Sequence, residues 1–382
     1  MQVSGTWRLP LVDALRGFAL FGILVVNVQY FAVPFGSDPM SAAAGPLDAA
    51  AVWLTRALFE SKFYVLFSFL FGFGLAVQIE RTREDPSRLR GRYLRRMLGL
   101  LTLGALHGVL LFAGDILVSY ALLGLLVWRL RSWDDWRLER FAIGIIGIAC
   151  LLGALIGTSF AFAPEPASVL SGPVATTRLA EATFAERYGV ALDQRLEDLA
   201  LVYTFSPLVT WPTIFAMFVF GLAAGHTRAF ARFEALLELA RLRWITIVAL
   251  ALAGNALYAS FGRGGGSVVL SALAFGLLPI AGPLLALVYV RAVWAWFERR
   301  RGSVLARALE AAGRLSLTNY LLQSVACALL LESFGLDLQL RPAALLAVAA
   351  AIFATQLAFS LIYLRFFRLG PAEWLLRKLT YG

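Results

Sequence analysis

The residues able to do chemistry stand out because the chain around them is apolar. His107 lies inside an apolar run, and Asp115 follows just past an Ala113-Gly114 turn. Histidine titrates near neutrality, which suits general acid–base work. The alternative is a core histidine bonded to a neighbouring carbonyl. Two readings of Asp115 also stand. It caps the next helix, as a short carboxylate does at a helix start, or it turns back onto His107 and fixes the imidazole tautomer, as the carboxylate of a catalytic triad does. Glu60 and Lys62 enter another run close together, either as an ion pair or with Glu60 as a second catalytic carboxylate. Asn27, Tyr30 and Tyr120 fall at similar depth. Asn27 and Lys62 are polar donors of the kind that stabilise an oxyanion.

A second group lies toward the opposite ends of the same runs: Asp13, Arg16, Arg95, Arg96, His226, Arg314, Asn319 and Gln323. Ionisable groups are costly inside a membrane, which makes each a functional candidate. Asp13 and Arg16 are three apart, so they share a helix face and can pair. Arg95 and Arg96 either snorkel to the interface or hold an anion. His226 ends a run, where an imidazolium suits the negative pole of a helix. Helical geometry links the two groups. Eleven residues return to nearly the same face and rise about 16 Å. Arg96 and His107 are eleven apart, as are Arg16 and Asn27. Each pair places a base near one end of a span and a polar group deeper along one stripe. That arrangement would hold an anionic ligand and do chemistry further along.

Membrane helices must position these groups. Of 382 residues, 60% are hydrophobic and 15% charged, with mean hydropathy +0.76. Soluble domains are roughly 45–50% apolar and about 25% charged, and disorder requires low hydrophobicity. The expectation is an all-α polytopic membrane protein with about ten transmembrane helices in one domain, residues 1–382. The spans fall near 12–34, 57–79, 94–112, 115–131, 139–163, 200–225, 243–262, 268–295, 315–334 and 343–367. Each is long enough, or nearly so, for a hydrocarbon core of about 30 Å. A separate amphipathic helix over 47–59 is a further reading. Segment 164–199 reads as an extracytoplasmic cap with one short helix from 178.

Net charge is +10, but the basic residues cluster in alternate loops, which argues against nucleic acid and for the positive-inside rule. The loop after the second span carries Arg81, Arg83, Arg88, Arg90 and Arg92, whereas 35–46 carries no basic residue. Both termini are therefore expected in the cytoplasm. The first run, with Asp13 and Arg16 at its start, does not read as a cleaved signal peptide. Cys150 and Cys327 sit in separate apolar runs, so neither a disulfide framework nor a metal cluster is expected. GxSxG, Walker A, HExxH and GxGxxG patterns do not occur. Phe67–Ala76 echoes Phe215–Ala224, which reads as helix packing through small residues. Pro207, Pro212, Pro279 and Pro283 could break the sixth and eighth spans.

Several stretches are similar to the YeiB-like bacterial inner-membrane family, domain of unknown function 418. They are Asp13–Asn27 (DALRGFALFGILVVN), Lys62–Gly72 (KFYVLFSFLFG), His107 through Gly114–Gly124 (GDILVSYALLG), Leu315–Ser324 (LSLTNYLLQS) and Gly370–Gly382 (GPAEWLLRKLTYG). The first of these resembles the opening of a wider group of transmembrane acyltransferases, including heparan-glucosaminide acetyltransferase and the acyltransferase-three proteins. Those take an acyl group from cytoplasmic acyl-CoA and place it on a sugar across the membrane. The acyltransferase-three motif is Arg-x10-His in the first span. Here that register reads Arg16 and Asn27, and the matching spacing occurs instead as Arg96 and His107.

The resemblance implies acyl-CoA, with acetyl-CoA expected, as donor substrate and a bacterial inner-membrane location. Arg16, Arg95, Arg96, Asn319 and Gln323 would hold the donor, with Asp13 paired to Arg16. His107 would be the base, with Asp115 or Glu60 orienting it, and Asn27, Lys62, Tyr30 and Tyr120 would face the substrate or oxyanion. No metal is expected. The partners expected are the lipid bilayer, acyl-CoA, an unidentified acceptor and, as an open option, a second copy of the chain. The competing reading is a small-solute transporter, which predicts inverted repeats, broken helices and paired charges near the midplane.

Overall fold

The computed structural model describes residues 10–33, 37–81, 86–162, 182–226, 241–262 and 267–381. All regular structure among them is helical. The protein is an all-α polytopic membrane protein. Six helices are long and apolar enough to cross a bilayer, and two bent pairs raise the number to eight. Helix α1 is Pro10–Ala32, α2 Pro46–Leu54, α3 Phe63–Arg81, α4 Pro86–Leu110, α5 Leu117–Val127 and α6 Asp135–Phe162. Then come α7 Phe184–Val209, α8 Trp211–His226, α9 Arg241–Phe261 and α10 Val268–Arg299. The chain ends with α11 Val304–Arg314, α12 Ser316–Leu331, α13 Pro342–Phe366 and α14 Pro371–Tyr381. The third and fourth expected spans correspond to α4, whose first half is arginine-rich, and to the short α5.

Departures from the expected spans have local causes. The second span starts at Phe63 because the chain ahead of it is irregular. The separate helix α2 is apolar rather than amphipathic, burying Asp48 and exposing Leu47 and Leu54; it runs into a π-helical turn over Thr55–Phe59, and Ser61 follows with φ 70°. The sixth span is two helices bent by 57° at Thr210. Pro212 lacks the N–H that would bond Leu208, and Pro207 sits one turn earlier, so the helix breaks there. Pro279 and Pro283 leave α10 unbroken. The cap helix is not short. It starts at Phe184 and runs without interruption into the sixth span, its first turn closed by a capping box between Thr183 and Glu186. Residues 163–181 of the cap lie outside the described residues. The ninth expected span corresponds to α12, which is 16 residues long and meets α11 at 88°. α11 carries an apolar face packed on α1 and a polar face, as expected of a helix lying across the bundle.

Small residues set the closest crossings. A Cβ on Gly72 of α3 would lie 2.0 Å from Phe218 O, and one on Gly221 of α8 would lie 2.1 Å from Phe69 O. The echo between Phe67–Ala76 and Phe215–Ala224 is therefore one crossing seen from both sides, with each helix lending a glycine to the other's backbone. α1 and α11 repeat the device at Gly17 and Gly313. Gly221→Ala is expected to destabilise the protein by about 2 kcal/mol through overpacking. Gly144→Ala on α6, where a Cβ meets open space, is expected to raise stability by up to about 1 kcal/mol. Thermal midpoints of the two detergent-purified variants check this, and equal shifts would sink the crossing argument.

Candidate functional site

α4 delivers His107 near its end, and the turn to α5 folds Asp115 back against it. His107 Nδ1 lies 2.8 Å from Asp115 Oδ1, and His107 Nε2 lies 2.8 Å from Ser324 Oγ on α12. The three are buried, at 3%, 3% and 2% exposure. An ionised carboxylate only accepts, so Nδ1 carries the imidazole proton and Nε2 accepts from the serine hydroxyl. Asp115 Oδ2 accepts the Val118 N–H at 2.8 Å. Asp115 is not itself the N-cap, which is Ile116, but from the preceding position it accepts a first-turn amide of α5 and also contacts the imidazole. Gly104 makes this approach possible, since a Cβ there would lie 2.7 Å from Val118 N and 2.8 Å from Asp115 Oδ2. The Tyr320 ring, one turn before Ser324, packs 5.0 Å from the imidazole.

α7 ties the two supporting helices together. Arg195 Nη1 donates to Leu110 O at 2.9 Å and Val109 O at 3.3 Å, satisfying carbonyls at the end of α4 that no helical N–H can reach. Its Nη2 pairs with Glu332, just beyond α12. Burial outweighs the Arg195 guanidinium at Glu332 and pushes its carboxyl up to about 7. Tyr203, also on α7, lies within electrostatic reach of Asp115, and its buried hydroxyl has no hydrogen-bond partner among the described residues.

A cavity of about 480 Å³ lies at the other end of α4. Asp13 and Arg16 line it from α1, Tyr93 and Arg96 from α4, Arg314 from α11 and Glu373 from α14. Arg16 Nη1 lies 3.1 Å from Asp13 Oδ1. Arg96 rests over the Phe71 ring at 5.9 Å, feels the Arg16 charge, and leaves its buried Nε without a partner among the described residues. Two guanidiniums converging in a low-dielectric space repel. A bound anion removes that repulsion and supplies charge-assisted hydrogen bonds.

α12 joins the two regions, because Ser316 lines the cavity and Ser324 reaches the imidazole. Between them, Gln323 Nε2 donates to Gln356 Oε1 at 2.9 Å, Gln356 Nε2 to Asn319 O at 2.9 Å, and Asn319 Nδ2 to Ser360 Oγ at 3.0 Å. Asn319 Oδ1 and Gln323 Oε1 are buried and accept no hydrogen bond among the described residues.

The comparisons give this geometry its family. The chain is 31% identical to "Uncharacterized protein YxaH" of Bacillus subtilis, over 98% of this chain and 94% of that protein. Residues 224–382 match the family described as "Protein of unknown function (DUF418)". The chain belongs to the DUF418 family. It is also 28% identical to "Uncharacterized protein YeiB" of Escherichia coli, covering 97% of this chain and 95% of that one. A third relative, "Uncharacterized 39.9 kDa protein in amylase 3'region" of Bacillus acidopullulyticus, is 26% identical over 98% and 94%.

In this DUF418 protein the expected residues separate into those the fold brings together and those it does not. His107 and Asp115 meet as a pair. Glu60 is engaged elsewhere: it accepts from Tyr258 at 2.9 Å and Tyr30 at 3.4 Å, while both ring nitrogens of His107 are taken. Lys62 is buried and donates to Arg56 O at 2.7 Å, in the irregular turn before α3. Tyr120 Oη bonds Tyr64 O at 2.7 Å and Ser68 Oγ at 2.8 Å, holding α5 to α3. Asn27 is half-buried and makes no hydrogen bond among the described residues. It shares a helical stripe with Leu20, whose carbonyl accepts from Gln323, and with Phe31, stacked 4.4 Å from Phe112.

Arg16 and Arg96 both line the cavity, whereas Arg95 is exposed and does not. Asn319 and Gln323 do not line the cavity. The side chain of His226 lies outside the described residues. Ser324, Tyr203 and Glu373 had no assigned role. Ser324 gave no signal of its own, since serine is ordinary in an apolar helix and its role depends on which way α12 faces.

Proposed function

We propose that this DUF418 protein is an integral-membrane acyltransferase of the bacterial inner membrane, with both termini cytoplasmic. Acyl-CoA, in the first instance acetyl-CoA, enters from the cytoplasm. Its phosphates sit between Arg16 and Arg96. The acyl group reaches His107 near the far face, where a hydroxyl or amine acceptor such as a sugar receives it. The observation that carries this reading is on α4. One helix holds a guanidinium in a basic cavity and, about 16 Å further along, the imidazole of an Asp–His–Ser array. Asn319 Oδ1 and Gln323 Oε1, on the helix that joins the two regions, are buried acceptors without a partner among the described residues. The Tyr203 hydroxyl, buried and without a partner among the described residues, is a donor of the type that stabilises an oxyanion.

The test is thermal unfolding of the detergent-purified protein against increasing acetyl-CoA and longer acyl-CoAs. A ligand that binds the native state raises the midpoint once its concentration passes Kd. Saturable stabilisation by an acyl-CoA, followed by CoA release when acceptor sugars are added, is expected. No shift at millimolar concentrations of any chain length would end the acyltransferase reading and favour transport, which predicts solute flux without a covalent product.

A further inference from the structure

We infer that Ser324 is the residue acylated during transfer, so that the reaction runs as two half-reactions through an acyl-serine ester; the inference rests on the acyl transfer proposed above. The first argument is the hydrogen bond itself. Hydroxyls in membrane helices usually bond a carbonyl one turn back. Ser68, Thr102, Thr158, Thr204 and Thr355 all do so here, onto the residue four earlier. Ser324 instead meets His107 Nε2 at 2.8 Å. The second argument is occupancy. Nδ1 is committed to Asp115, so Nε2 is the imidazole's one basic position, and the proton nearest it is that of Ser324 Oγ. An acceptor hydroxyl cannot reach that nitrogen while Ser324 holds it.

In the first half-reaction Ser324 Oγ attacks the thioester carbonyl carbon. The C–O bond forms, the C–S bond breaks, and His107 passes the serine proton to the departing CoA sulfur. In the second, the acceptor oxygen attacks the Ser324 ester. His107 Nε2 takes the acceptor proton and returns it to Oγ as the C–Oγ bond breaks. The net change is one thioester for one ester, with free CoA released. The device suits a site between two compartments. Donor and acceptor never need be bound together, so the site can open toward one face at a time. At 2% exposure, Ser324 is shielded from the water that would hydrolyse its ester.

The experiment incubates the full-length protein in detergent with acetyl-labelled acetyl-CoA and no acceptor. Intact mass and peptide mapping follow, alongside a membrane-permeant alkyl fluorophosphonate. One acetyl group on the peptide 316–331 is expected, with a burst of one CoA per protein. Label from either reagent should vanish in Ser324→Ala and in His107→Ala. Ser324→Ala should slow CoA release about 10³-fold or more, with its thermal shift by acetyl-CoA intact. If Ser324→Ala releases CoA within tenfold of wild type, or the acetyl group maps to His107, the inference falls while the acyltransferase reading stands. If the fluorophosphonate labels Ser324 but no acyl-CoA binds, the nucleophile stands and the acyl-CoA reading falls. If neither reagent labels a folded wild-type protein, the acyl-serine is overturned.

Discussion

An Asp115→Asn protein is expected to fold, to bind acyl-CoA and to transfer acyl groups about 10⁴-fold more slowly than wild type. The size of the effect follows from hydrogen-bond polarity. Asp115 accepts twice, from Val118 N–H and from His107 Nδ1, each at 2.8 Å. Asparagine keeps the shape but has one acceptor and one donor. Val118 N–H must meet the oxygen, so the amide NH₂ faces Nδ1. Nδ1 then becomes an acceptor and the imidazole proton moves to Nε2. Ser324 Oγ now receives a hydrogen bond where it had given one, and the base has no lone pair to take its proton. Fold and cavity are untouched, so the acetyl-CoA-dependent thermal shift should survive. His107→Ala should lose activity to a similar degree, but it leaves the Asp115 charge buried without the imidazole, and stability falls with activity. Asp115→Asn separates the two effects. Rates of CoA release, with thermal midpoints on the same samples, measure them. Transfer within tenfold of wild type would show that the Asp115–His107 pair only fills the core.

Single residues were legible in proportion to how far they stood out from apolar surroundings. A histidine and a carboxylate in adjoining runs attract notice, and His107 and Asp115 do meet. Ser324 does not stand out, because serine is ordinary in a membrane helix and its role depends on which way α12 faces. Tyr203 is hidden in the same way. Glu60 and Lys62 stood out equally well, yet the π-helical turn over Thr55–Phe59 and the left-handed Ser61 aim them at Tyr258, Tyr30 and a carbonyl. Such a turn leaves no periodic trace. The helices came from length and hydropathy, which is why α1, α6, α10 and α13 fall close to their expected spans. The continuous helix through the cap did not, since its first turns are polar and carry no membrane signal. Pro212 announced the break at Thr210, whereas Pro279 and Pro283 announced breaks that the packed α10 does not make. Arg95 and Arg96 are 100° apart on a helix, and only the packed structure tells which one faces the cavity.

That choice yields a prediction with two opposite signs. Arg96→Gln is expected to weaken acetyl-CoA binding about 10–100-fold, while the ligand-free protein gains stability. Hydrogen bonds to charged groups contribute about 1.5–3 kcal/mol, and each 1.4 kcal/mol is about tenfold in affinity. Removing the guanidinium also removes its repulsion with Arg16 and an Nε that is buried with no partner among the described residues. A group that strains the empty protein and supports the loaded one marks a binding site, because structure alone would not retain it. Arg95→Gln, exposed on the same turn, is the control and should change neither quantity. Raising the salt concentration should weaken binding to wild type more than to Arg96→Gln, since one fewer charge is there to be screened. If Arg96→Gln lowers the ligand-free midpoint and leaves acetyl-CoA affinity unchanged, Arg96 holds the helices together and the anion site lies elsewhere. The link along α4 from basic cavity to imidazole would then fail with it.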